Sequence, residues 1–457
     1  MHNHLLDSPI QPSLKQAFWY WLKLGFISFG GPAGQIAIMH QDLVENKRWI
    51  SEKRFLHALN YCMVLPGPEA QQLAVYIGWL LHKTWGGVVA GSLFVLPSLF
   101  ILMGLTFVYL QYGNLAIVAS ILYAIKPAVV AIVLFAAYRI GSRNIKNIGL
   151  ASIAALSFCA ISIFGLPFPL IILSAALLGF VGGRYYPNQF SVGSGHQAAD
   201  KHYGKALIDD DTPTPSHAVF SLKRMIKLLL VGLLLWLVSM MSLAFIYGVD
   251  AVLTQMAWFF TKAAMLTFGG AYAVLPYVYQ GAVTHYQWLS PAQMMDGLAL
   301  GETTPGPLIM VLAFVGFVGG WTHEVFGVNT ELASGIAAAC VVTWFTFLPS
   351  FIFIFMGAPL IESTQGKLKF TAPLTAITAA VVGVILSLAV FFAQHIFTAV
   401  SFTAISPLNH LNWQGIDWLA VLITSLSYVA LWRYKVSVIR LIFACALLGW
   451  LLLYLPH

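Results

Sequence analysis

Charge is what this sequence has least of. Asp, Glu, Lys and Arg make up 9% of its 457 residues, against 59% hydrophobic residues. Soluble domains carry roughly 25% charged residues. A water-facing surface cannot be built from so few, so most of the surface must face lipid. Cysteine is scarce too. Cys62, Cys159, Cys340 and Cys445 are scattered, with no C-x-x-C spacing, so neither a disulfide framework nor a metal site is indicated. The sequence has no P-loop, Rossmann glycine fingerprint, G-x-S-x-G or H-E-x-x-H. ATP-driven transport by this chain alone and hydrolase chemistry therefore lack support. The expectation is a non-enzyme with no catalytic residue, no cofactor and no metal. No cleavable signal peptide is expected either. The first apolar run begins near Ala17, is broken by Lys23 and lacks a small-residue cleavage site. The net charge of +7 does not point to nucleic acid, because the basic residues sit in short loops between apolar spans.

What the chain does have is a duplication. Phe29-Gly30-Gly31 occurs again as Phe268-Gly269-Gly270, and Pro66-Gly67-Pro68 as Pro305-Gly306-Pro307. Both pairs are 239 residues apart. The same gap-free register, 23–68 against 262–307, matches Lys23 with Lys262, Gln41 with Gln280, Val44 with Val283, Trp49 with Trp288, Ser51 with Ser290 and Leu59 with Leu298. Duplication in so apolar a chain points to a transporter.

Apolar segments lie near 14–39, 51–80, 86–110, 114–139, 147–164 and 166–186. A polar linker follows, with Asp209-Asp210-Asp211, Pro213 and Pro215, and then one unpaired segment, 225–247. The six recur near 252–278, 291–320, 332–357, 371–398, 414–432 and 436–455. Six segments plus one invert the second copy relative to the first. The fold class is thus an all-α polytopic membrane protein of two inverted homologous halves with broken, re-entrant helices, joined by one extra transmembrane helix. Its parts are a first repeat over 1–186, a cytoplasmic linker over 187–224, the connecting helix over 225–247 and a second repeat over 248–457.

The basic residues orient it. Arg139, Arg143 and Lys146 share one loop; Arg184, Lys201, Lys205, Lys223, Arg224 and Lys227 share another; Lys367, Lys369, Arg433, Lys435 and Arg440 occupy two more. The alternating loops near 111–114, 165–169, 248–251, 321–331 and 399–415 hold no Lys or Arg. Positive charge collects in the cytoplasm, which puts the N-terminus inside and the C-terminus outside. Lys47, Arg48, Lys53 and Arg54 obey that rule only if the first two segments of each half enter and turn back at their Gly/Pro breaks. Then 20 of the 23 Lys and Arg residues are cytoplasmic.

The breaks carry the candidate chemistry. A broken membrane helix leaves backbone N–H groups that need a ligand, water or protein partner. Pro32, at the first turn after Gly30-Gly31, costs its helix little, and the free N–H groups and positive dipole end then form an anion site. Pro66-Gly67-Pro68 and Pro305-Gly306-Pro307 offer a second pair of half-helices. Simple kinks are the bland alternative, and four breaks in a duplicated register weigh against it. Lys23 and Lys262 precede the FGG breaks by six residues, roughly 9 Å of helical rise, where they attract an anion or snorkel to the interface. Lys126, beside Pro127, is a substrate contact or half of a structural pair. Gln71 and Gln72 offer amide donors, and Thr303 and Thr304 hydroxyls. Ser28 and Thr267, equivalent in the repeat, lie beside FGG, although such hydroxyls often bond their own backbone. Glu69 follows the first PGP break directly and Glu302 precedes the second by one Thr pair, with Asp296 nearby. Carboxyls there are proton-coupling candidates, because desolvation favours the neutral form; a salt bridge to Lys23 or Lys262 is the alternative.

At these residues the chain resembles the chromate ion transporter superfamily in its long, two-domain form. The likeness rests on Phe29-Gly30-Gly31-Pro32, Trp49 with Ser51, Pro66-Gly67-Pro68 followed by Gln72-Leu73-Ala74 and Tyr76-Ile77-Gly78, Phe268-Gly269-Gly270 and Pro305-Gly306-Pro307. One departure is Ala271 where the first half has Pro32. The resemblance implies export of chromate across the inner membrane, with chromate resistance and with sulfate as the chemically similar anion. The expected partners are that oxyanion and the bilayer, not nucleic acid, with a homodimer left open. A sulfate or other oxyanion transporter and a passive anion channel are the alternatives. An oxyanion reductase would need a haem, flavin or cysteine site that is not visible.

Overall fold

The structure, a computed structural model, describes residues 9–29, 31–113, 115–190, 203–213, 215–268, 270–363, 371–398 and 415–454. Gly30, Gly269, Lys201, Lys367 and Lys369 lie outside the described residues. Helix follows helix. The described residues form no strand, only two isolated bridges, Ile50 with Ile208 and Thr398 with Ile416.

The first half runs α1 (Leu14–Ile27), α2 (Gly31–His40) continuing as a π-helical stretch (Gln41–Asn46), α3 (Glu52–Cys62), α4 (Glu69–Tyr112), α5 (Ala116–Asn144), α6 (Ile148–Ser162) and α7 (Phe168–Tyr185). A single turn, α8 (Pro187–Phe190), and the unpaired α9 (Leu222–Tyr247) follow. The second half repeats the order. It has α10 (Val252–Met265), α11 (Ala271–Val278) with its own π-helical stretch (Tyr279–His285), and α12 (Pro291–Thr303). A 3-10 turn (Leu308–Met310) opens α13 (Val311–Thr322), and α14 (Glu331–Ser363), α15 (Thr371–Phe397), α16 (Trp418–Trp432) and α17 (Val438–Leu452) complete it. The repetition reaches single residues. Ser51 and Ser290 cap α3 and α12, each accepting from the backbone N–H three residues on. Arg48 and Gln287, equivalent in the repeat, both sit at positive φ, 51° and 54°.

Among the described residues, six helices are long and apolar enough to cross a membrane: α4, α5, α7, α9, α14 and α15. Only part of α4 crosses. At His82 (φ −137°) and Lys83 (φ 57°) its chain reverses. The arms 69–81 and 84–112 then lie against each other: a Cβ on Gly78 would sit 2.5 Å from the Gly86 carbonyl oxygen, and one on Gly86 2.2 Å from that of Gly78. Close approach of small residues is what membrane helix pairs rely on, because lipid provides no hydrophobic drive between them. The 84–112 arm spans about 43 Å, enough for a hydrocarbon core of about 30 Å.

Contacts at the ends show which loops share a face. Gln11 donates to the Leu81 carbonyl (2.9 Å) and His82 bonds the Pro12 carbonyl (2.8 Å). Arg48 and Trp49 carbonyls accept from Leu207 and Ile208, and Ser51 N–H donates back to Ile208. His217 bonds the Trp79 carbonyl. The start of α1, the 47–51 loop, the reversal at 82–83 and the linker therefore lie on one face. So α1 enters and the stretch after it returns: a re-entrant hairpin. The second half mirrors this on the other face, where Gln280 accepts from Phe168 N–H and the Tyr247 ring meets that of Phe326 (5.8 Å). Across the middle, α5 packs on α16 and α17, and α15 packs on α6 and α7. Equivalent elements have exchanged partners, as across a two-fold axis.

Candidate functional site

The two halves meet at their breaks. α2 starts at Gly31 (φ 69°) and α11 after Gly270 (φ 98°), while α4 starts after Pro68 and the 3-10 turn of α13 after Pro307. The N–H of Gly67 donates to the carbonyl of Thr267, and the N–H of Gly306 donates to that of Ser28, both at 2.8 Å. Ser28 and Thr267 are equivalent, as are Gly67 and Gly306. Each PGP break is thus tied to the residue before FGG in the other half. Glycine is required twice over at these positions. φ is 127° at Gly67 and 98° at Gly306. A Cβ would sit 2.3 Å from Ser350 Oγ at the first and 2.7 Å from Ser98 Cβ at the second.

Around the crossings lie buried polar side chains. Gln35 donates to the Gly306 and Ser28 carbonyls. Gln72 donates to the Pro66 carbonyl (2.8 Å), so one of its amide hydrogens closes its own break. Ser28 Oγ, Gln35 Oε1, both polar atoms of Gln71, Gln72 Oε1, Ser98 Oγ and Ser350 Oγ are buried without a protein partner among the described residues. Buried polar atoms are ordinarily paired, so a group of unpaired ones beside the helix breaks is a candidate binding arrangement. The threonines follow the bland reading: Thr267, Thr303 and Thr304 donate to carbonyls of their own helices.

Ser98, Ser350 and Gln35 were not singled out from sequence. Leu96-Pro97-Ser98 does recur as Leu348-Pro349-Ser350. Its offset is 252, not 239, because α13 and α14 are joined by a loop where α4 merely reverses. A gap-free comparison does not find it.

The predicted charged residues are spread more widely. Lys23 is exposed, on the side of α1 opposite Trp21 and Gly25, which face α4. Lys262 is half-buried with Nζ 5.5 Å from the Trp258 ring centre. Neither is among the side chains gathered at the crossings. Glu69 is the half-buried first residue of α4, and Glu302 accepts from the Tyr272 hydroxyl. Among the described residues neither carboxylate forms an ion pair with a lysine. Lys126 has the partner that Glu69 and Glu302 lack: its Nζ lies 3.4 Å from Asp296 Oδ2, which also accepts from the Tyr109 hydroxyl at 2.9 Å. This trio borders a cavity of about 840 Å³ between the end of α4, the starts of α5, α12 and α16, and the end of α17. At the equivalent corner of the opposite face, Arg54 of α3 and Glu362 of α14 form a buried ion pair (3.3 Å), and Tyr76 donates to the same carboxylate. No group of three or more His, Cys, Asp and Glu suited to a metal ion occurs among the described residues.

The family model described as "Chromate transporter" matches residues 15–180 and again 254–450, once on each half. A chromate transport protein of Pseudomonas aeruginosa is 30% identical over 447 residues, 97% of this chain and 93% of its own. One of Cupriavidus metallidurans is 29% identical over 385 residues, 84% of this chain and 83% of its own. An uncharacterised transporter of Bacillus subtilis, 26% identical, covers 34% of this chain but 88% of its own length, so a unit about the size of one half exists as a protein. No solved structure matches. With the same motifs in both halves and similarity along nearly the whole length, this multi-pass membrane protein belongs to the chromate transporter family.

Proposed function

We propose that this protein is a secondary transporter that exports chromate across the inner membrane and so confers chromate resistance, with the oxyanion bound at the two crossings. One observation carries the reading: helix N-termini from opposed halves meet there beside Gln71, Ser98 and Ser350, whose buried polar atoms have no protein partner among the described residues. Backbone N–H groups and the positive ends of helix dipoles favour an anion. The site residues are those around the breaks: Gly30, Gly31 and Pro32, Pro66, Gly67 and Pro68 with Gln72, Gly269 and Gly270, and Pro305, Gly306 and Pro307. Lys23 and Lys262 add positive charge one to two turns before FGG and draw the anion in, and Lys126 meets it in the cavity. Glu69 and Glu302 couple its movement to a proton gradient. The names of the relatives support chromate. Sulfate has the same charge and shape, and a site of N–H groups does not separate the two cleanly. The segregation of Lys and Arg supports a cytoplasmic N-terminus and a periplasmic C-terminus, with the 840 Å³ cavity on the periplasmic side.

The test is radiolabelled chromate flux in inverted vesicles, with and without a proton gradient and with sulfate as competitor. Accumulation that needs the gradient and falls with excess sulfate is the expected result. Flux that follows the chromate gradient alone, at channel-like rates, would leave a passive anion channel instead.

A further inference from the structure

The cavity holds a carboxylate in an unusual position. Asp296 is 3% exposed. Both of its donors, Lys126 from α5 and Tyr109 from α4, reach the same oxygen, Oδ2. The other, Oδ1, is buried without a protein partner among the described residues. The Lys126 contact, at 3.4 Å, is looser than a well-formed charge-assisted hydrogen bond of about 2.7–2.9 Å. Among the described residues Lys126 is the only charged side chain that pairs with Asp296; Arg440 lies in the first turn of α17, at the other end of that helix from Leu452. Phe314 of α13 packs at a tilt against Tyr109, and Leu452 of α17 lines the wall. His285 of the π-helical stretch lies on Tyr286, and His395 of α15 on Phe391. Tyr123, farther along the wall, donates to Asp417.

Building on the oxyanion reading above, we propose that this cavity is a second anion site, in which Asp296 stands in for the absent anion. A divalent oxyanion entering it takes the Lys126 ammonium and the Tyr109 hydroxyl. Asp296, left beside a dianion without its counter-charge, accepts one proton from solvent through the cavity. When the anion leaves, that proton returns to solvent and Asp296 recovers Lys126. The carboxylate thus competes with the anion for one ammonium and helps expel it. Anion binding and protonation favour each other, as linkage requires.

The experiment uses purified full-length protein in weak buffer with a pH indicator, and radiolabelled sulfate as the probe. Sulfate stays a dianion across the working range, so any proton consumed lands on the protein. Chromate serves as competitor. In a Glu69→Gln, Glu302→Gln background, which removes the other coupling carboxyls, the protein is expected to take up about one proton for each sulfate held in the cavity. Adding Asp296→Asn should leave sulfate binding at least as strong and abolish that uptake, and Asp296→Glu should keep it. Lys126→Gln should weaken binding at least about tenfold, with Lys126→Arg retaining it if the loss is one of charge and not of folding. Sulfate binding without proton uptake in that background, or uptake that persists there after Asp296→Asn, overturns the proposal and leaves the oxyanion reading standing. Failure of wild type to bind either sulfate or chromate takes down the oxyanion reading itself.

Discussion

Gly67 and Gly306 decide how closely the halves approach. Each combines a positive φ with a neighbour where a Cβ would go. Gly67→Ala and Gly306→Ala are each expected to cost about 1–3 kcal/mol in thermal unfolding and to depress chromate flux. Gly31→Ala, at φ 69° with open space around the new Cβ, should cost less. Lys23 and Lys262 are tested by charge. If they draw in the anion, Lys→Gln weakens binding by about 10- to 150-fold, matching the roughly 1.5–3 kcal/mol of a charge-assisted contact, and Lys→Arg does much less; unchanged binding in folded Lys→Gln protein would remove them from the path. Glu69→Gln and Glu302→Gln, which mimic the protonated carboxyl, should keep oxyanion binding and lose the dependence of flux on the pH gradient. At this scale the sequence was informative wherever glycine and proline break a helix. It was silent on Gln35, whose position in α2 gives no hint that its amide reaches the carbonyl of Gly306.

Helices and loops carry a different set of consequences. Arg54 of α3 holds Glu362 of α14 and also donates to the Thr212 carbonyl of the linker. Removing one partner of a buried pair strands the other, so Arg54→Ala should cost about 3–5 kcal/mol in thermal denaturation, and the double replacement Arg54→Met with Glu362→Leu should recover most of it. The linker brings a pH effect. Burial lowers the pKa of His217, with Lys83 and Arg224 adding to the shift against its bond to the Trp79 carbonyl. Its neutral form is therefore the docked one. Docking is complete above the ordinary histidine value of about 6.5 and weakens as pH falls through it, so limited proteolysis should cut the linker faster in acid. Lys83 and the apolar runs on either side made the reversal in α4 readable. The π-helical stretches were not readable, because they change hydrogen-bond register without changing the apolar pattern.

For the whole molecule, the inverted repeat was legible because one helix, α9, has no counterpart and because Lys and Arg avoid alternate loops. The exchange of partners between halves was not, since it depends on which element packs on which. Two outcomes are expected. A cysteine at position 47 should label from the cytoplasmic side and one at 287 from outside; labelling of 47 from outside would end the re-entrant reading. The two halves expressed as separate chains should regain flux only together. The crossing at Gly306 also has a consequence in time. Ser28 is made long before Gly306, the donor to its carbonyl, and Gly67 N–H waits likewise for Thr267. At about 5–20 residues per second, the first half spends roughly ten seconds to a minute in the bilayer with its breaks unpaired. A membrane insertase or lipid headgroups must shelter those amides until the second half arrives. Ribosome stalling between residues 186 and 252 should therefore leave a nascent chain that crosslinks to such a factor through its PGP turn, and release of the stall should end that contact.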